Sequence, residues 1–267
     1  MPIATNDGVD LYYEVDGPAD AETVALVEGL GYGRWMWRGQ REALAERFET
    51  VVWDNRGTGD SDAPEGPYSV AEMASDLEAV LADHGAESAH VVGASMGGMI
   101  AQQYAIDYDR TDRLALLCSS PGGDDAVEAS PAVQARMVAE PEGADERETI
   151  RHRMAPAMTE AFREANDDLL SRIVDWRLQG DAAEAGRNAQ LAAVGAFDAA
   201  DRLDEVAVPT LVAHGTADRV LPFGNAELLA EGIPDARLEP FEGGPHLFFI
   251  ERAEAVNETL LGFLGGD

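Results

Sequence analysis

The 267-residue sequence contains no lysine and only one cysteine, Cys118. Its nineteen basic residues are all arginine, against fifty-one Asp and Glu, which leaves a formal net charge of −32. Nucleic acids and anionic membrane surfaces carry dense negative charge of their own, so neither is an expected partner. Without lysine there is no Walker phosphate loop, and no His-Glu-x-x-His metal spacing occurs. A single cysteine forms no disulfide within the chain, and Cys118, closing the apolar run from Leu114, reads as a small buried hydrophobe. No apolar run approaches the roughly 20 residues of a membrane span. Residues Met1 to Asp7 show neither the basic start nor the apolar stretch of a secretory signal. A cytoplasmic protein is therefore expected.

What is abundant is acid. A chain this negative repels itself in dilute salt, where the Debye length is about 10 Å at 0.1 M against about 3 Å at 1 M. The composition resembles that of proteins from salt-accumulating halophilic archaea. At 45% hydrophobic and 26% charged residues the chain is still an ordinary globular one, long enough for a sizeable core.

Along the chain, short apolar runs alternate with helical patterns. Strands are expected at Val9 to Val15, Thr23 to Val27, Thr50 to Trp53, Ala89 to Val92, Leu114 to Cys118, Pro209 to Ala213 and Ala236 to Phe241. Helices are expected at Gln40 to Phe48, after the Ser69–Glu72 capping box, after Gly98 to about Asp107, at Asn225 to Gly232 and at Ala253 to Leu264. Between Pro121 and Ala200 no strand pattern occurs, and Leu169, Ile173 and Trp176 fall at helical spacing. The expected fold is α/β, a mostly parallel sheet with helices on both faces, its core formed by residues 1–120 and 201–267 with a helical insert at 121–200.

The strongest chemical signal is Gly93-Ala94-Ser95-Met96-Gly97, a G-x-S-x-G motif after a strand and before a helix. Small neighbours permit the sharp turn, and the helix N-terminus favours a developing anion. A serine nucleophile needs a base, and the base an orienting acid. Of five histidines, His84 ends a helix, His152 lies in the insert, and His90 and His214 lie in strands. His246 follows a strand on a Gly-Gly-Pro loop at the C-terminal sheet edge, where α/β active sites lie. Asp218 occupies the loop after another strand, so Ser95, Asp218 and His246 run in the Ser…Asp…His order.

With these blocks, and with Gly29-Leu30-Gly31 and Asp54-Asn55-Arg56-Gly57-Thr58-Gly59-Asp60-Ser61, the chain resembles α/β-hydrolase-fold serine hydrolases over nearly its full length. It is most similar to the 3-oxoadipate enol-lactonase-like and carboxylesterase-like members. The resemblance implies a cofactor-free and metal-free hydrolase of a small-molecule ester or lactone. In it Ser95 attacks, His246 is the base, Asp218 orients it, and the backbone N–H groups of Leu30 and Met96 form the oxyanion hole. It makes the insert a cap over the pocket. Trp35, Trp37, Trp176 and Phe248 are candidate lining under that cap, with ordinary core packing as the alternative.

The fold also carries haloperoxidase or perhydrolase chemistry, carbon–carbon bond hydrolysis and non-catalytic ligand binding. The intact Ser, His and Asp set argues against the last. Glu28 stands where many relatives have histidine, so its carboxyl is expected to point away, to be hydrogen-bonded or to be partly protonated. Gly29, Gly31 and Gly33 superficially resemble a dinucleotide loop, but Arg34 takes the third glycine's place and Trp35 and Trp37 crowd it. Asp54 and Arg56 read as loop-organising residues.

Overall fold

The computed structural model describes residues 2–266. Eight strands form one sheet: β1 (Ile3–Asn6), β2 (Val9–Asp16), β3 (Thr23–Val27), β4 (Glu49–Trp53), β5 (Ala89–Ala94), β6 (Thr111–Leu117), β7 (Thr210–Gly215) and β8 (Ala236–Phe241). Their spatial order is β1-β2-β4-β3-β5-β6-β7-β8. The β1–β2 and β2–β4 pairs are antiparallel and all others parallel. Strands β3, β5 and β7 are buried along their whole length, as central strands covered on both faces must be.

Alternation along the strands feeds two cores. Ala25, Val27 and Val91 face the layer holding Leu77, Val80 and Tyr104. Val24, Leu26 and Val92 face the layer holding Trp37, Leu44 and Phe248. The helices outside the insert are α1 (Arg38–Leu44), α2 (Val70–His84) and α3 (Met96–Asp107), then α9 (Gly224–Gly232), α10 (Phe248–Glu251) and α11 (Ala253–Leu264). Helix α2 starts on the reciprocal Ser69–Glu72 capping box and stops at left-handed Gly85.

The insert between β6 and β7 contains α4 (Pro131–Val138), α5 (Glu146–Met154), α6 (Glu160–Ala165), α7 (Asp167–Gly180) and α8 (Glu184–Ala196). Its two ends meet where Ala199 N–H donates to the Pro121 carbonyl at 2.9 Å and Gly122 bridges Asp198. No helix among the described residues is long and apolar enough to cross a membrane.

Two local features differ from the sequence reading. Strand β1 was not expected; it joins β2 through Asp7-Gly8, both at positive φ (49° and 83°), a tight hairpin whose Asp-Gly dipeptide is its signal. Helix α1 ends at Leu44 rather than Phe48, and a 3-10 turn at Arg34–Trp37 precedes it. Phe48 is pulled into the core instead of continuing the helix.

The chain visits β3, then β4 on one side of it, then β5 on the other. The crevice between β3 and β5 is therefore the switch point of the sheet, where the loops after the two strands diverge.

Candidate active site

The loop after β3 carries Gly29 to Gly33, and Ser95 directly follows β5. A Cβ placed on Gly29 would stand 3.6 Å from Ser95 Cβ, so the two loops are in contact across the switch point. Ser95 has φ 56° and ψ −118°, a strained conformation for a side chain with a Cβ. Such strain costs on the order of 1–3 kcal/mol and persists only where the surroundings enforce it. Here they do. A Cβ on Gly93 would fall 2.2 Å from the Gly97 carbonyl oxygen, and one on Gly97 would fall 2.1 Å from that of Val27. Ser95 N–H donates to Leu117 O at 2.9 Å, and Ser95 O accepts from Ser119 Oγ at 2.9 Å. Ser95 is partly exposed in an otherwise buried run.

Two N–H groups without a protein acceptor among the described residues flank this serine. Met96 opens α3, where no preceding turn supplies an acceptor. Leu30 N–H likewise donates to no protein acceptor among the described residues, although its neighbour Gly31 N–H is held by Gln190 Oε1 at 2.7 Å.

His246 and Asp218 are brought together. His246 Nδ1 lies 2.7 Å from Asp218 Oδ2, with both residues buried. Their loops are stitched by Ala217 N–H to the Gly244 carbonyl at 2.9 Å and Gly243 N–H to Thr216 Oγ1 at 2.8 Å. The other carboxylate oxygen, Asp218 Oδ1, accepts the N–H groups of Val220 (2.7 Å) and Leu221 (3.0 Å). Burial alone raises the Asp218 pKa, but the His246 and His214 rings outweigh it and hold the carboxyl at about 2. Parallel pairing of β5, β6, β7 and β8 sets the Ser95, Asp218 and His246 loops on one edge of the sheet. No side chain hydrogen-bonds Ser95 Oγ among the described residues; such bonds often close only around bound substrate.

His214 has a role that strand periodicity did not signal. Its Nε2 is 3.1 Å from Asp218 Oδ2 and 2.8 Å from the Leu221 carbonyl oxygen. Two oxygens face Nε2, so that nitrogen carries the proton, and Nδ1 is left without a partner. A His four residues before the acid, at the end of the same strand, was the available clue. Cys118, at φ 42° and fully buried, lies below; burial, and then Asp218, push its thiol pKa well up.

Glu28 is wholly buried behind the loop after β3. Asn55 Nδ2 reaches its Oε2 at 3.4 Å, and Oε1 has no partner. Burial, and then the charge of Asp54, raise its pKa well above the ordinary carboxylate value, which favours the neutral acid. Asp54 and Arg56 serve loop structure. Asp54 pairs with Arg34 and accepts the Asp60 N–H at 2.9 Å. Arg56 forks onto buried Asp76 at 2.6 and 2.8 Å.

The four aromatic residues divide between the core and a side cleft. Trp37 and Phe248 are fully buried in the core, Trp37 against Phe249 at 5.6 Å and Phe248 against Phe241 at 4.6 Å. Large apolar rings serve a pocket wall and a core equally well, and these two lie in the core. Trp35 and Trp176 stack at 6.2 Å on the wall of a side cleft of about 840 Å³. That cleft is also lined by Arg34, Arg38, Arg41 and Asp54, and not by Ser95, Asp218 or His246. Among the described residues no group of three or more His, Cys, Asp or Glu is disposed to hold a metal ion.

Residues 22–253 match the family described as alpha/beta hydrolase fold. A protein of Azorhizobium caulinodans named "Putative carbamate hydrolase RutD" is 32% identical over 288 residues, 99% of this chain and 98% of its own length. Its namesake in Variovorax paradoxus is 32% identical over 95% of this chain and 96% of its own length. Among solved structures, the enol-lactonase of Burkholderia xenovorans LB400 superposes with a TM-score of 0.86 at 26% identity, over 99% of this chain and 100% of that one. An esterase from Exiguobacterium antarcticum gives a TM-score of 0.86 at 27% identity, over 99% and 98% of the two chains.

Proposed function

The chain belongs to the α/β-hydrolase fold family, and from that premise we propose that it hydrolyses a carboxylic ester or lactone of a small molecule through an acyl-enzyme. The observation that carries this reading is the strained Ser95 turn flanked by two N–H groups without a protein acceptor among the described residues, on the same sheet edge as the 2.7 Å His246–Asp218 pair.

In this reading Ser95 Oγ attacks the carbonyl carbon while His246 Nε2 takes its proton. Asp218 keeps the opposite nitrogen protonated, fixes the tautomer and stabilises the imidazolium. The carbonyl oxygen becomes an oxyanion between the N–H groups of Met96 and Leu30. Each such donor is typically worth about 2.7–4 kcal/mol of barrier. The imidazolium then protonates the departing alkoxide, leaving Ser95 acylated. A water molecule, deprotonated by His246, attacks the acyl carbon, and Ser95 recovers its proton as the acid departs. A neutral Glu28 fits this scheme, because a carboxylate behind the loop would oppose the oxyanion. Residues 121–200 act as a cap on the core of 1–120 and 201–267. Leu247 N–H donating to the Ala157 carbonyl at 2.9 Å, and Glu251 accepting from Thr159 N–H at 2.7 Å, tie cap to core beside His246.

A second reading, cleavage of a carbamate, is favoured by the 32% identity to the Azorhizobium protein across 99% of this chain. It uses the same attack, since a carbamate carbonyl presents the same developing oxyanion.

The test is turnover of p-nitrophenyl esters, small lactones and an aryl carbamate by wild type beside Ser95→Ala. Loss of about a thousandfold or more in the variant, with folding intact, is the expected result. Equal rates for the two proteins would refute the acyl-enzyme.

A further inference from the structure

The loop that carries the proposed oxyanion donor Leu30 is a turn. Tyr32 N–H closes it on the Gly29 carbonyl at 3.1 Å, and Gly31 sits in it at φ 73°, a conformation that favours glycine. Leu30 N–H takes no part in closing it. The end of helix α7 grips this turn and the residues just after it. Ala182 N–H donates to the Gly31 carbonyl at 2.9 Å. Arg177 lays its guanidinium 4.5 Å over the Tyr32 ring and donates to the Tyr32 hydroxyl at 3.4 Å. Asp181 Oδ1 accepts Trp35 Nε1–H at 2.6 Å and, at a longer 3.5 Å, the Gly33 N–H. Asp181 Oδ2 accepts from Arg177 Nε at 2.7 Å. A Cβ on Gly33 would fall 2.3 Å from the Gly180 carbonyl oxygen, so loop and helix end are in backbone contact.

Arg177 and Asp181 keep only 16% and 13% of their side-chain surface exposed. Burial raises the Asp181 pKa above the ordinary aspartate value, although Arg177 and then the Trp35 N–H pull it down. Two charges withdrawn from water in this way are often no more stabilising than apolar residues of the same volume. What this pair supplies is direction. One carboxylate aligns Arg177 on Tyr32, whose N–H closes the turn, and also holds the backbone at Gly33 and the ring of Trp35. The turn that carries Leu30 is thus held by the insert as well as by the core.

We propose that Asp181, acting through Arg177 and Gly33, is a positioning residue for the oxyanion hole, so that the hole is complete only while the end of α7 is seated on the loop after β3. This rests on the acyl-enzyme reading above and adds a role for the insert beyond covering the site. A movement that lifts α7 away releases Tyr32 and Gly33 together, and Leu30 N–H loses its aim until the insert closes again. Attack on the carbonyl is then slow in the open form and fast in the closed one, because a donor helps only where the oxyanion forms.

The experiment compares p-nitrophenyl acetate with its thiono analogue, in which sulfur replaces the carbonyl oxygen. Sulfur is the poorer hydrogen-bond acceptor, so the ratio of kcat/KM, oxo over thiono, reports the hole, whereas loosened packing elsewhere changes both alike. Arg177→Met combined with Asp181→Leu removes the clasp without leaving a buried charge unpaired. Asp181→Asn keeps an oxygen for the Gly33 and Trp35 N–H groups. The ratio is expected to fall about tenfold in the double variant and to recover for the most part in Asp181→Asn. An unchanged ratio overturns the proposal while leaving ester hydrolysis standing. Hydrogen exchange of the amides of residues 29–33 reads the clasp without any substrate. It should be about tenfold faster in the double variant and close to wild type in Asp181→Asn. Faster exchange supports the clasp even if wild type turns over neither ester, in which case the acyl-enzyme reading is what fails. Equal exchange in all three proteins overturns the proposal whatever the turnover shows. If the double variant does not fold, Trp35→Phe, which takes one N–H from Asp181, decides by the same two measurements, with smaller changes in the same direction.

Discussion

Gln190 Oε1 accepts the backbone N–H of Gly31 at 2.7 Å, and the other end of the same amide donates to the Arg56 carbonyl (2.9 Å) and Thr58 Oγ1 (2.8 Å). One fully buried side chain thus joins an insert helix, the proposed oxyanion loop and the loop after β4. Fixing Gly31 fixes the peptide beside Leu30 N–H, whose aim decides how well it meets an oxyanion. Gln190→Ala is expected to lower kcat about 10- to 100-fold with KM within about threefold, because aim matters more to the transition state than to ground-state binding. Steady-state kinetics on one p-nitrophenyl ester separate the two constants. A rise in KM at constant kcat would place Gln190 in substrate binding instead.

The second ring on Asp218 makes a pH prediction. Its folded pKa of about 2 lies below the unfolded value of 3.8. The difference corresponds to about 2 kcal/mol of stability, present above about pH 4 and lost as the pH falls toward 2. His214 supplies part of that depression, and its ring packs edge-on to Phe223 at 6.0 Å. His214→Phe keeps an aromatic ring and removes the N–H. Urea denaturation should show the variant less stable than wild type at pH 7, with the gap narrowing at pH 3. A gap of the same size at both pH values would mean that His214 acts through packing and the Leu221 carbonyl alone.

The sequence made much of this legible, for physical reasons. Parallel central strands must be apolar along their whole length, so β3, β5 and β7 were plain. The turn that strains Ser95 demands small neighbours, so Gly93 and Gly97 announced it. His246 and Asp218 were readable because each follows a strand on the C-terminal sheet edge. What escaped was set by tertiary contact. No periodicity tells that Gln190 faces Gly31, 159 residues away. Trp37 and Phe248 carry the composition of a binding pocket and of a core alike, and only their burial separates the two. His214 read as one more strand residue, because nothing in a strand pattern shows which loop its ring will meet.

Glu28 predicts the opposite pH dependence. Its folded pKa is raised, so the native state holds a proton that the unfolded chain has released once the pH passes about 4.5. Its contribution is thus most favourable at acid pH and declines as the pH climbs through that window. Glu28→Gln is a neutral mimic that keeps an oxygen for Asn55 Nδ2. The variant is expected to melt roughly 2–6 °C above wild type at pH 8, with the difference shrinking toward pH 5. Melting curves at the two pH values decide it. A variant that melts lower at pH 8 would show that the carboxylate itself, rather than its burial, is what the site requires.

The charge of −32 makes the last prediction, one about salt. Ion pairs such as Arg202–Glu205 and Arg110–Glu78 consume arginines, and nineteen cannot neutralise fifty-one acids. The excess carboxylates repel one another more in the compact chain than in the extended one. That cost is largest when the Debye length, about 10 Å at 0.1 M, spans several neighbouring charges. At about 3 Å in 1 M salt most of it is screened, while the buried Arg56–Asp76 pair is little affected. The melting temperature should therefore rise steeply between 0.1 and 1 M KCl and flatten above. Equimolar sucrose, which strengthens burial without screening, should reproduce only a small part of the rise. If the two solutes act equally, self-repulsion is not what limits this fold, and the acidic excess would lose its electrostatic explanation.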